Sequence, residues 1–249
     1  MRIAILFLTA ALLAQTSETV ERSFPLSPAD TPRTVQEIVI AIRGTSGIRE
    51  MQVAADVDTR TLKIQAPLAE AGLAEWIFHL LEEPNGSGEH QYTMPGRWPH
   101  ARLFFLVASD SPQQVQELVT AVHAIAEANL VTAFTPRPAI VFRAEPWAVS
   151  TAEWVIHQLD SPPTEEATSS YTISGRDPVN RSPQIAPAVR IFHLPPSATP
   201  ETMQALVNRL RREAQIPRAV ANTAARAIAV RGSESQVSAG ERIVAEARQ

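Results

Sequence analysis

The chain has no cysteine, which excludes disulfide scaffolds, iron–sulfur clusters, thiol nucleophiles and every zinc site that needs a thiolate. Glycine is scarce: nine residues in 249, or about 4% against a norm of roughly 7%. Glycine-rich phosphate loops fit poorly with that. No surplus of positive charge exists either, since the formal net charge is −4, and this argues against a nucleic-acid binder driven by bulk charge. The apolar run from Ile3 to Leu13 is well short of the roughly 20 residues that a membrane-spanning helix needs, and no later segment is longer.

What the chain does hold is proline, at twenty residues, and an apolar fraction of 45%. The first suggests stiff connectors between compact units, and the second is ample for a packed core in one or two domains. Met1-Arg2, the apolar run and then Ala14 before polar Gln15-Thr16-Ser17 form a secretory signal pattern. The expectation is a signal peptide over residues 1–14, removed from a periplasmic or secreted bacterial protein. No cysteine follows the run, so a lipoprotein is not expected.

Internal repetition dominates the rest. Phe24-x-Leu26, Phe104-x-Leu106 and Phe192-x-Leu194 each stand eight residues before a proline that follows a hydroxyl residue: Thr31-Pro32, Ser111-Pro112 and Thr199-Pro200. A hydroxyl N-cap with proline in the first turn begins a helix, because proline's missing N–H costs nothing there. Gln114 adds a capping-box pattern to Ser111. Four residues past each proline comes a glutamine (Gln36, Gln116, Gln204). Around it run the stripes Val35/Ile38/Val39/Ile42, Val115/Leu118/Val119/Val122 and Met203/Leu206/Val207/Leu210, each on one helix face.

Leu62-x-Ile64-x-Ala66, Ile140-x-Phe142-x-Ala144 and Ile228-x-Val230-x-Gly232 alternate with period two, which predicts strands with one buried face. Preceding strands are expected near Met51 to Ala55, Val131 to Thr135 and Ala219 to Ala221. Ala74-Glu75-Trp76-Ile77, Ala152-Glu153-Trp154-Val155 and Gly240-Glu241-Arg242-Ile243 then sit on a second helix. The fold class is therefore α+β: three strand–helix–strand–strand–helix modules, each a small three-stranded sheet with two helices on one face. Modules are drawn at 20–84, 102–162 and 189–249, with linkers at 85–101 and 163–188. In the linkers, Tyr92-Thr93 and Tyr171-Thr172 are expected to add short edge strands before the next unit. Gly96-Arg97 and Gly175-Arg176 repeat behind them.

The opening F-x-L, the T/S-P cap and the closing Ala152-Glu153-Trp154-Val155 through Leu159-Asp160-Ser161-Pro162 resemble the short N-terminal periplasmic modules of bacterial secretins, three times over. The resemblance implies a KH-like fold, packing side by side into rings and contact with partner proteins. A secretin continues into a pore-forming β-domain, whereas this sequence stops at Gln249. A pore-less relative acting as a non-catalytic periplasmic interaction or assembly protein is the reading that follows.

Chemistry-bearing motifs are sparse. His79 and His157 share a repeat position, but copy three has Ala245 there and no acidic residue accompanies them at ligand spacing, so a helix-face role is expected and no metal site is assigned. Asp56-Val57-Asp58-Thr59-Arg60 lacks the glycine and terminal glutamate of a calcium loop and reads as a turn between strands. Gly44-Thr45-Ser46-Gly47 has the letters of a KH phosphate-clamping loop without counterparts in the other copies. No nucleophile elbow or Walker loop is found, so no catalytic residue, cofactor or nucleic-acid partner is assigned. An envelope hydrolase with a dispersed site, and a module for anionic lipid or nucleic acid, remain the alternatives. Trp76 and Trp154, beside the apolar helix face, are expected to pack against the sheet, in the core or half-buried, and the repeated glutamines to hydrogen-bond nearby backbone.

Charge is uneven among the copies. Modules one and two carry −4 and −3, while residues 189–249 hold nine arginines against five acids. Arg209 and Arg212, turned away from the helix's apolar stripe, are the candidate interaction surface. The partner expected there is an acidic envelope protein or a second copy in a head-to-tail ring.

Overall fold

Proline after a hydroxyl residue does start the first helix of each unit. In the computed structural model, Thr31, Ser111 and Thr199 are extended N-caps whose side chains accept from the backbone N–H three residues on, and Ser111 with Gln114 forms the expected capping box. The structure describes residues 19–47, 51–56, 58–162, 167–174 and 188–248; the signal-peptide segment lies outside them.

The first unit runs Thr19–Pro25 (β1), Pro32–Ser46 (α1), Gln52–Asp56 (β2), Thr61–Pro67 (β3) and Leu68–Glu82 (α2). The second is Glu89–Thr93 (β4), His100–Phe105 (β5), Pro112–Ala126 (α3), Leu130–Phe134 (β6), Ala139–Ala144 (β7) and Pro146–Leu159 (α4). The third is Thr168–Thr172 (β8), Ala188–His193 (β9), Pro200–Glu213 (α5), Arg218–Asn222 (β10), Ala227–Gly232 (β11) and Glu234–Ala247 (α6). Every strand pairing is antiparallel, with orders β1-β3-β2, β4-β5-β7-β6 and β8-β9-β11-β10. The two Tyr-Thr connectors supply β4 and β8. Sheets two and three thus have four strands where three were expected of the module alone. The Gly44–Gly47 letters only end a helix, with Gly47 as its left-handed C-cap.

Ile38, Ile42, Leu62, Ile64 and Ile77 are fully buried, as are Leu118, Val122, Ile140, Phe142 and Val155 in the next unit. The expectation that each central strand buries one face holds only for β3, where buried and exposed residues alternate. All six residues of β7 and the first five of β11 are buried. The reason is stacking. The second face of sheet two, carrying Ala101, Leu103, Phe105, Ala139 and Val141, shares one core with α1 and α2 of unit one. Likewise Val189, Ile191, Ala227 and Ala229 of sheet three pack into the core of α3 and α4. The layers alternate: sheet, helix pair, sheet, helix pair, sheet, helix pair.

Close approach of helix to sheet needs small side chains on the helix. A Cβ placed on Gly44 of α1 would lie 2.4 Å from the Thr132 hydroxyl of β6. Gly44→Leu gains helix propensity of up to about 1 kcal/mol, so a net loss isolates the clash. Urea denaturation is expected to show destabilisation of about 1–3 kcal/mol. Arg212→Leu, at the equivalent position on α5, is expected to change stability by no more than about 0.5 kcal/mol.

Candidate interaction surfaces

The two junctions between units are built from the same parts. From α1, the Glu37 carboxylate accepts from the Thr135 backbone N–H at 2.7 Å and from the Thr135 hydroxyl at 2.7–2.8 Å, in the turn after β6. Glu117 of α3 does the same to Thr223 after β10, at 2.6 and 2.7 Å. Burial alone would push the Glu37 carboxyl upward. Hydrogen bonds from the Thr135 backbone and hydroxyl, and from Arg33, outweigh it and hold the group below its ordinary value.

Arginines tie the opposite end of each junction. Arg143 of β7 donates to the Ser46 carbonyl at 2.9 Å, and Arg231 of β11 donates to the Ile125 carbonyl at 2.9 Å. Both meet the C-terminal carbonyls of the preceding first helix, where a cation also suits the helix dipole. Arg137 donates to the Leu80 and Leu81 carbonyls of α2 at 2.9 and 2.7 Å and lies over the Phe105 ring. The tryptophans belong here too. Trp76 packs on Tyr92 with ring centroids 5.6 Å apart, and Trp154 on Tyr171 at 5.2 Å. Both are half-buried, and their partner is the edge strand of the next unit's sheet.

At the two ends of the stack these parts are replaced. Ala41 and Gly44 of α1 recur as Ala121 and Ala124 in α3, but as Arg209 and Arg212 in α5. Glu37 and Glu117 become Ala205, and Trp76 and Trp154 become Arg242. At the other end, the outer face of sheet one carries Glu21, Ser23, Thr61, Lys63 and Gln65 where sheet two has Ala101, Leu103, Ala139, Val141 and Arg143. Lys63 and Gln65 are exposed, whereas Val141 is fully buried.

Arg209 and Arg212 therefore sit together on the uncovered helix face of unit three. Arg209 is occupied within its own unit, by Glu213 at 3.2 Å and Glu246 at 3.1 Å. Arg212 is exposed and donates to the Asn208 carbonyl at 3.3 Å. Several other arginines of unit three are similarly engaged: Arg190 with Glu234 and Glu241, Arg211 with the Ala219 carbonyl, and Arg218 with Glu127 across the junction.

His79 and His157 stay on exposed helix faces, edge-on to Phe24 and Phe104, with Glu75 and Glu89 respectively 3.8 and 3.4 Å away. The Asp56 carboxylate accepts from the Asp58 and Thr59 backbone, forming a turn. Gln36, Gln116 and Gln204 are exposed, and Gln204 reaches Asn208, so the expected backbone-satisfying role is not found for them. Their neighbour, the glutamate one residue on, is the functional member of the pair. Sequence reasoning passed over it because its partner hydroxyl is about a hundred residues away.

The end of the second helix is also used. Asp160 accepts from the backbone N–H groups of Val107, Ala108 and Ser109 at 2.7–3.1 Å. Glu82 holds that place in unit one. Burial and then the adjoining Asp30 carboxyl, by hydrogen bond and by charge, push Glu82 up to about 7.

No protein-family model matches the chain, and no curated protein matches it. Among solved structures it is similar to ExeD of Aeromonas hydrophila, at 15% identity over 93% of this chain and 41% of that one, with a TM-score of 0.23. It is similar to the N-terminal domain of the secretin XcpQ from Pseudomonas aeruginosa, at 16% identity over 57% of this chain and 62% of that one, with a TM-score of 0.25. The type II secretion system secretin GspD of E. coli K12 is 13% identical over 94% of this chain and 39% of that one, with a TM-score of 0.22. The chain thus spans less than two thirds of the length of each, and TM-scores at this level do not superpose the folds as wholes.

Two outcomes are expected from this geometry. Glu37→Ala leaves Thr135 without its acceptor and is expected to cost about 1.5–3 kcal/mol in chemical denaturation, as is Glu117→Ala at the second junction. For Glu82, the folded-state value of about 7 exceeds the ordinary 4.5, so the folded protein holds an extra proton between those values. Stability must then fall as pH rises through that window. Glu82 is partly exposed, so the loss is about 1 kcal/mol rather than the full equivalent of the shift. Glu82→Gln should melt higher than the parent chain at about pH 8 and level with it at about pH 4. Equal melting at both would refute the assignment.

Proposed function

We propose that this chain is an exported, non-catalytic assembly or interaction protein, made of three modules related to the N-terminal modules of secretins. The observation that carries the reading is the repeated junction. Two glutamates, two arginines and two tryptophans recur at fixed repeat positions, and each is used to join one module to the next. A chain whose recurring polar groups serve module-to-module contact is organised for association. The leader at residues 1–14 and the module bounds 20–84, 102–162 and 189–249 belong to the same proposal. The bounds mark repeats, since sheet two shares its core with unit one. Among the described residues no helix is long and apolar enough to cross a membrane, and no group of three His, Asp or Glu is placed to hold a metal ion.

The partner-facing surface in this reading is the open α5–α6 face, with Arg212 exposed and Arg209 beside it. An acidic protein surface suits it. The head-to-tail pairing with sheet one of a second copy is disfavoured as a continuation of the junction, because Ala205 cannot supply the carboxylate and Arg209 and Arg212 occupy the small-residue positions.

The test is capture from periplasmic extract with the mature chain as bait, at low and at physiological salt. Specific partners should be retained at low salt, released as salt rises, and lost with Arg212→Glu while melting temperature holds. Retention of the same partners by Arg212→Glu would remove the arginine face from the proposal. Turnover of a broad hydrolase substrate panel would overturn the non-catalytic reading itself.

A further inference from the structure

A cleft of about 470 Å³ opens where the first connector, unit two and unit three meet. Trp98 and Trp147 form its apolar walls, and Arg97, Arg143 and Arg218 are its cations. The volume falls within the range of small-ligand sites. Arg143 is only 5% exposed, and its guanidinium is held by the Trp98 carbonyl at 2.6 Å through Nε and by the Ser46 carbonyl at 2.9 Å through Nη1. Its remaining nitrogen, Nη2, has no protein hydrogen-bond partner among the described residues. The side chain is thus fixed by two bonds, with one pair of donors left over.

Beside it stands Arg97, exposed, with its guanidinium 4.9 Å from the Trp98 ring centre. Gly96 places it. That residue has φ +119°, which side-chain-bearing residues rarely adopt. The Gly-Arg motif of the connector, unexplained by the junction contacts, ends in this cleft. The N-terminus of α4 also faces it through Trp147 and Ala148, and the N-cap Glu145 makes no side-chain capping bond.

Two acids line the cleft, and both are engaged. Glu127 pairs with Arg218 and with Arg231, and Glu145 accepts from the Trp147 indole N–H at 3.2 Å. With Arg231 lying over Trp147 at 5.4 Å, and with Glu70 the one carboxylate acting on Arg143 from outside the cleft lining, four arginines stand against three carboxylates, a balance that still favours an anion.

We propose that this cleft binds a carboxylate carried on an apolar body, the chemistry of a chain-terminal carboxyl group beside a hydrophobic residue. The carboxylate meets Arg143 Nη2 and Arg97, and the apolar part lies between Trp98 and Trp147. Preorganisation of Arg143 by two carbonyls removes most of the ordering cost of such a contact.

The experiment is a titration of the intact mature chain with N-acetyl-Ala-Phe, with its C-terminal amide, and with inorganic phosphate, read from the indole N–H signals of Trp98 and Trp147. The acid should move both signals to saturation. The amide should bind about tenfold more weakly or worse, the loss expected for one charge-assisted hydrogen-bond set. Arg97→Ala, an exposed substitution that leaves the fold intact, should weaken the acid by about fivefold or more. Equal binding of acid and amide, no effect of Arg97→Ala, or no movement of either indole up to about 10 mM acid would each overturn the proposal. So would phosphate binding as well as the acid, since the cleft would then be a general anion site.

Discussion

The second face of each sheet governs this structure. A module of about sixty residues with two helices on one side of its sheet leaves the other side uncovered, and buries only a modest core alone. Here the helices of one unit cover the open face of the next unit's sheet. The helix pairs α1–α2 and α3–α4 are thereby buried from both sides. Small residues on the helix set how near the sheet can come, and the Glu–Thr and Arg–carbonyl ties fix the register at either end of the contact. Stability in such an array is a sum over units and their neighbours. Losing one junction therefore exposes the apolar faces of two units at once.

Much of the single unit was legible in the sequence, because its determinants are local. The Thr-Pro and Ser-Pro caps, the stripe around Ile38 and Ile42, and the alternation at Leu62 and Ile64 each express a period or a capping bond within a few residues. The stacking is written in the sequence less directly. Val141 and Ala139 stand where copy one has Lys63 and Thr61, so the outward positions of the central strand change from polar to apolar after the first copy. Comparing copies position by position for what differs, rather than for what agrees, exposes the buried second face. The partners Glu37–Thr135 and Glu117–Thr223 could not be paired that way, since each half is unremarkable in its own helix or turn.

Most of the arginines that give unit three its surplus of positive charge serve internal carboxylates and carbonyls. Arg190 bridges β9 to α6 through Glu241, as Arg102 bridges β5 to α4 through Glu153 at 2.5 Å. Arg248 takes the place of Glu82 and Asp160 at the end of the second helix and donates to the His193 carbonyl. Guanidinium suits this work because it keeps its charge when partly buried and donates in several directions. Of the arginines on the open helix face, Arg212 and Arg242 are the exposed ones left for a partner.

The two stack ends are unlike each other, and that difference constrains assembly. A repeat array that is to remain discrete must finish in units whose outer faces do not ask for a neighbour. Sheet one does so with Glu21, Ser23, Lys63 and Gln65, short or charged side chains on a flat polar face. Unit three does so by filling with Arg209 and Arg212 the positions that elsewhere are small. Neither substitution disturbs the inward face of its own unit, since Ile64 and Leu210 remain fully buried behind them. The same module thus serves as interior and as terminus by changing only outward residues. Neither outer face keeps the residues from which the two internal junctions are built: small residues and a carboxylate on the helix side, apolar outward positions on the sheet side. In the proposed reading, contact with other proteins falls to the flanks of the sheets, to the junction cleft, and to an acidic surface that can meet Arg212 without needing to enter.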